Sequence, residues 1–233
     1  MMAFAATKRY TRTTRWIVPL LAALLWGNLA VAGNPERAEA IAMIRNMHRV
    51  YHQATAFHIK MDLSMIPRQP GLPAERMTGQ VKHRGDGYFI QMGDRVNLLN
   101  TKGHLVVDHQ RQKLLWQPAR DVAATLESLR ILPDEALFEG SEITFLENTP
   151  TRKRLKVVVP EPQLDHLELE LDAEGKLTAL RYFYTDDPQI PYREVRIDFA
   201  LTDLAPVFER QAFSEAPYLQ KVKGQWQPAT AYR

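Results

Sequence analysis

The sequence predicts a mainly β, α+β protein: one large antiparallel meander of about ten or eleven strands, with a helix before it and a second helix interrupting it. Three observations predict this. Apolar residues recur at helical spacing up to about residue 53 and then switch to strict alternation for most of the chain. The alternating runs are short and are separated by Gly and Asp turn pairs, which is the spacing of hairpins. Each run has one apolar face, so that face needs a cover, and two amphipathic segments are available to supply it.

The 233-residue chain opens with a segment that belongs to neither class. Lys8, Arg9, Arg12 and Arg15 precede the apolar run Trp16 to Trp26, and Ala30-Val31-Ala32 follows it. A basic start, a short apolar run and a small-residue exit are the parts of a secretory signal, so residues 1–32 are expected to be cleaved and Gly33 to begin the mature chain. The apolar run rises only about 16 Å as a helix, roughly half of a bilayer's hydrocarbon core, so no stable membrane anchor is expected. The leader also distorts the charge balance. Of 30 basic and 27 acidic residues, four basic ones lie in it, which leaves 26 against 27 and argues against a nucleic-acid partner. There is no cysteine, so neither disulfides nor a lipid-modified cysteine is available. Residues 33–233 are expected to form one exported, soluble domain held by its core, with 219–233 as a flexible tail.

Asn34, Pro35, Glu36 and Glu39 form a helix start, combining a cap, a proline where no amide is needed and acids at the positive end of the dipole. Ile41, Ile44, Met47 and Tyr51 then continue at helical spacing to about residue 53. Phe57, Ile59, Met61, Leu63 and Met65 alternate with polar residues in the first strand. After the proline-rich loop 67–73, strands are expected at about 76–84, 87–92, 95–100, 104–108 and 112–117. Pro118 to Leu132 reads as the second helix, with Val122, Leu126 and Leu129 on one side. Strands resume at about 142–147, 153–159, 166–172, 176–185 and 192–201. In these, Leu167, Leu169 and Leu171, then Leu177, Ala179 and Phe183, then Val195, Ile197, Phe199 and Leu201 make the apolar faces.

No constellation argues for catalysis, a cofactor or a metal. His48 and His52 have a ligating spacing on the first helix, but no Glu follows His48 as a metalloprotease requires. His104, Asp108 and His109 fall in or beside turns. The Asp186-Asp187 pair lies in a loop, and Glu168 and Glu170 lie on the polar face of a strand. Neither a Gly-x-Ser-x-Gly elbow nor a phosphate-cradling glycine loop is present. The distinctive property is apolar area. Phe57, Met61, Met65, Ile90, Met92, Phe183 and Phe199 are expected to face inward over a surface that two short helices fill incompletely. An ordinary core packed against those helices is the other reading of the same pattern.

The segment GQVKHRGDGYFIQMGDRVNLLNTKGHLVVDHQRQKLLW, residues 79–116, resembles the first sheet of the periplasmic outer-membrane lipoprotein carriers, the LolA-like family. ELELDAEGKLTALRYFYTDD, YREVRIDFALTD and the closing FERQAFSEAPYL continue the resemblance, which spans about residues 35–219. It implies an unclosed antiparallel β-barrel whose concave face is covered by helices and whose cavity shelters acyl chains. The implied partners are acyl chains of a lipoprotein or another lipid, with an inner-membrane donor and an outer-membrane acceptor. On that reading the cavity is lined by Phe57, Ile59, Met61, Leu63, Ile90, Met92, Leu126, Leu169, Phe183, Val195, Ile197 and Phe199, and Arg84 is the latch that holds the lid. Gly85 stands where the family has a proline. The alternative is a periplasmic accessory or sensor domain with a filled core, working through protein contacts.

Overall fold

In the computed structural model, the structure describes residues 35–118, 138, 140–223 and 225–229. The expected signal peptide, Leu126 and nearly all of the second helix lie outside the described residues; Pro118 is the last residue of a strand.

Helix α1, Pro35–Gln53, is followed by β1 Ala56–Pro67, β2 Glu75–Arg84, β3 Gly87–Met92, β4 Arg95–Asn100, β5 Gly103–Asp108 and β6 Lys113–Pro118. Then come β7 Glu142–Asn148, β8 Arg152–Val158, β9 Leu164–Asp172, β10 Leu177–Tyr184 and β11 Tyr192–Asp203, and finally β12 Leu219–Val222 and β13 Gln225–Pro228. Strands β1 to β11 make one curved antiparallel sheet in the order β6-β5-β4-β3-β2-β1-β11-β10-β9-β8-β7. The sheet does not close, so β6 and β7 are its two edges. This is the unclosed, barrel-like fold expected, with eleven strands.

Residues opposite one another on neighbouring strands share a face, so the registers divide the sheet into two. One face carries Ile59 and Met61 of β1, Val81 of β2, Ile90 of β3, Leu180 of β10, Leu167, Leu169 and Leu171 of β9, Leu155 and Val157 of β8 and Ile143 of β7. These are buried together with Ala40, Ile44, Met47 and Tyr51 of α1. The helix thus covers this face because its 3.6-residue stripe is the only long apolar stripe facing it among the described residues. It is also fixed in place. The backbone amide of Leu177 donates to the Tyr51 hydroxyl at 3.2 Å, Arg37 donates to the Ser141 carbonyl at 3.2 Å, and burial raises the pKa of Tyr51.

The opposite face is not uniformly polar. Over β3 to β6 it carries Phe89, Val96, Leu98, Leu105, Val107, Leu114 and Trp116, and here the C-terminal segment supplies Phe213, Tyr218, Leu219 and Trp226 as a second apolar cluster. The expectation of a flexible tail over 219–233 is therefore corrected for 219–222 and 225–228. A two-stranded hairpin is marginal alone, but Leu219 is buried against the sheet and Trp226 lies 5.6 Å from Trp116.

One buried carboxylate ties this segment down. Glu215 is 4% exposed, forms an ion pair with Lys102 and accepts a hydrogen bond from Asn100 Nδ2 at 3.1 Å. Burial alone would raise its pKa, but the hydrogen bonds from Lys102, its own backbone and Asn100 outweigh that and hold the carboxyl below its usual range. A depressed folded pKa stabilises the fold above the unfolded value of about 4.3, and this contribution disappears as pH falls through the folded value. The C-terminal segment is expected to loosen from the sheet under acid. Tryptophan fluorescence followed from neutral pH downward should report it, and Glu215→Gln should remove that pH dependence while loosening the segment already at neutral pH.

Candidate functional site

Beside α1, the helix-covered face continues as a strip that is only half buried. Its floor is Ile59, Met61, Val81 and Ile90, and on or around it lie Phe57, Leu63, Met92, Tyr182, Val195, Ile197 and Phe199, all partly exposed. The registers place Met61 opposite Phe199 on one side and Gly79 on the other, with Met92 beyond Gly79. A side chain at Gly79 would run into Met92 and come within 3.2 Å of Met61 Cγ, so the glycine leaves the space that the two methionines fill. Thioethers on either side of a missing side chain make an adaptable apolar floor. Tyr182, missed in the sequence, has its pKa pushed up to about 12, first by burial and then by Tyr184.

Of the residues expected to line a cavity, Ile59, Met61, Ile90 and Leu169 are buried on the helix-covered face, and Phe57, Leu63, Met92, Val195, Ile197 and Phe199 are half-buried on it. Leu126 is outside the described residues. Phe183 is on the other side of the sheet, which corrects the expectation. Leu177 pairs with Leu171 but Ala179 pairs with Glu170, so Thr178 is one extra residue in β10 and reverses every side chain after it. Leu180 and Tyr182 therefore take the inward places, and Ala179 and Phe183 turn outward. Phe183 stacks on His166 with ring centroids 4.3 Å apart and lines an open groove of about 570 Å³ with Asp165, Arg193 and Glu194. A second extra residue, Ala200 of β11, does the same to Leu201, which pairs with Lys60 and is 39% exposed.

Arg84, the expected latch, can be placed relative to α1 and the C-terminal segment, while nearly all of the second helix lies outside the described residues. Its guanidinium lies 5.5 Å from the ring of Phe213, on the face opposite α1, so it rests on the C-terminal segment and not on α1. His48 is buried and stacked with His52, with ring centroids 6.2 Å apart. Among the described residues no group of three or more metal-binding side chains occurs, and no helix is long and apolar enough to cross a membrane.

No protein-family model matches the chain, and no curated protein sequence matches it either. Solved structures do. Its structural neighbours include LolA-superfamily and lipoprotein-sorting domain proteins. A DUF1329 family protein from Desulfovibrio piger shares 9% identity with a TM-score of 0.41, over 78% of this chain and 98% of its own. A LolA superfamily protein from Nitrosomonas europaea shares 7% identity with a TM-score of 0.36, over 76% and 97%. The MucA/MucB complex of Pseudomonas aeruginosa contains a chain that shares 15% identity with a TM-score of 0.39, over 72% of this chain and 59% of its own. Identities this low with TM-scores under 0.5 say nothing about activity. The fold of this chain stands on its own strand order and registers.

Proposed function

We propose that this chain is an exported, periplasmic binding protein that shelters the acyl chain of a lipoprotein or another lipid along the strip beside α1, receives it from a donor and releases it to an acceptor without covalent chemistry. The observation that supports this reading is the half-exposed row Phe57, Leu63, Met92, Ile197 and Phe199, continuous with a buried apolar floor. Exposed apolar residues elsewhere on the sheet, such as Leu115, Leu146 and Leu201, stand singly, whereas this row is contiguous and joins the core. Sheltering a sixteen-carbon chain is worth on the order of 10 kcal/mol at about 0.8 kcal/mol per CH₂, so a partial groove suffices to hold a lipid in water. Because α1 is fastened at Tyr51 and Arg37, the reading assigns ligand entry to the open side of the strip and not to the swinging of α1.

Native mass spectrometry of the protein purified from its own periplasm tests this. Co-purifying lipid, displaced by added fatty acid, is the expected result. Bare protein that takes up no fluorescent fatty acid would overturn it in favour of a filled domain acting through protein contacts.

A further inference from the structure

Resting on the acyl-binding reading, we infer that the ligand carries a hydrogen-bond donor, an amide N–H or a hydroxyl, next to its acyl chain, and that Nδ1 of His83 receives it at one end of the strip. His83 is on the helix-covered face, paired with Phe57 of β1 and Tyr88 of β3, and its ring lies between theirs, with centroids at 4.9 Å and 4.1 Å. This row stands where β2 ends at the exposed turn Gly85-Asp86, close to solvent, while Ile59 and Met61 lead away from it along β1. An amphiphile laid on the strip with its chain on Ile59 and Met61 has its head beside this ring.

The tautomer follows from one contact. Nε2 of His83 lies 2.7 Å from the carbonyl oxygen of Gly85, and a carbonyl only accepts, so Nε2 carries the proton. In the neutral ring Nδ1 is then a bare lone pair. It is buried and has no hydrogen-bond partner among the described residues, and an acceptor in that condition is costly until a donor reaches it. Burial keeps the imidazole neutral by lowering its pKa, against the raising effects of the Gly85 hydrogen bond and the Asp86 charge. A site with a fixed acceptor favours ligands that offer it a donor over isosteres that do not. Plain esters offer none, whereas N-acyl amides and hydroxylated heads do.

The test compares N-methyldodecanamide, which has one N–H, with N,N-dimethyldodecanamide, which has none, as competitors of bound anilinonaphthalene sulfonate. On the wild-type chain the first should compete about tenfold better than the second, and His83→Phe, which keeps the ring stack, should bind the two equally. Equal competition on the wild-type chain, or a preference that survives in a folded His83→Phe, overturns the inference and leaves acyl binding standing. Failure of both amides to compete overturns acyl binding itself. Nitrogen NMR of the unliganded wild-type imidazole gives an independent check: an unprotonated Nδ1 is expected, and a protonated one overturns the assignment whether or not the variant folds.

Discussion

Leu169→Ala is expected to lower stability by about 3 kcal/mol, with the urea midpoint falling and the slope unchanged. Leu169 is fully buried, directly between Leu155 on β8 and Leu180 on β10, in the sheet beneath α1. Its neighbours sit on strands held by ladders on both sides, so they collapse little into the space left, which places the cost inside the usual range of about 2–5 kcal/mol for such truncations. Leu201→Ala is the informative control. Leu201 belongs to an equally regular alternating string, but it is 39% exposed on the other side of the sheet, and its truncation should cost no more than about 0.5 kcal/mol. Equal costs for the two would mean that Leu169 and Leu201 are wrongly placed on opposite sides of the sheet.

The second large effect is on ligand retention. Phe199→Asp is expected to reduce retention of a fluorescent fatty acid about a hundredfold or more while far-UV circular dichroism stays unchanged. Phe199 is half-buried opposite Met61, so in the free protein a carboxylate there keeps contact with water. A bound acyl chain would strip that water away, and an unpaired carboxylate in apolar surroundings costs several kcal/mol. Phe183→Asp, on the outward side next to His166, should leave retention unaltered. If Phe183→Asp abolishes retention and Phe199→Asp does not, the ligand lies on the other face.

These paired controls show where the sequence is legible and where it is not. Helix α1 and the eleven strands of the main sheet can be read from periodicity because each element carries an apolar row at its own spacing, and every strand ends at or within two residues of a proline, glycine, asparagine or aspartate. The inward row of β1 can be read for the same reason. What cannot be read is a change of parity within a strand. Thr178 in KLTALRYF and Ala200 in IDFALTD look like ordinary members of alternating strings. They become extra residues only against a partner strand that has one fewer, and that is a property of a pair. The alternation therefore misplaces Ala179, Phe183 and Leu201 and hides Tyr182. The C-terminal hairpin was hidden differently. LQKVKGQWQP has two short arms, and Lys223 takes a positive φ of 49° near the turn, but the arms are too short to signal a strand without the sheet they cover. The half-buried strip was legible as surplus apolar area, and the place of His83 within it was not, because its meaning lies in which nitrogen the Gly85 carbonyl occupies.

The strand order has a kinetic meaning as well. β1 to β6 are neighbours both in the chain and in the sheet, and so are β7 to β11; within the main sheet, β1 with β11 is the one pairing that joins distant parts of the chain. Two stacks of hairpins can therefore form from local contacts, each quickly, before either meets the other. Their union requires residues near 60 to find residues near 200 in a register that includes the extra Ala200. Non-local pairing is slow relative to local hairpins, so the search for that register is the step expected to limit the rate of folding. Until it succeeds, β1 and β11, each twelve residues long, present unpaired edges to any other chain nearby. The seam that completes the sheet is thus also the place where a half-made molecule is open to self-association.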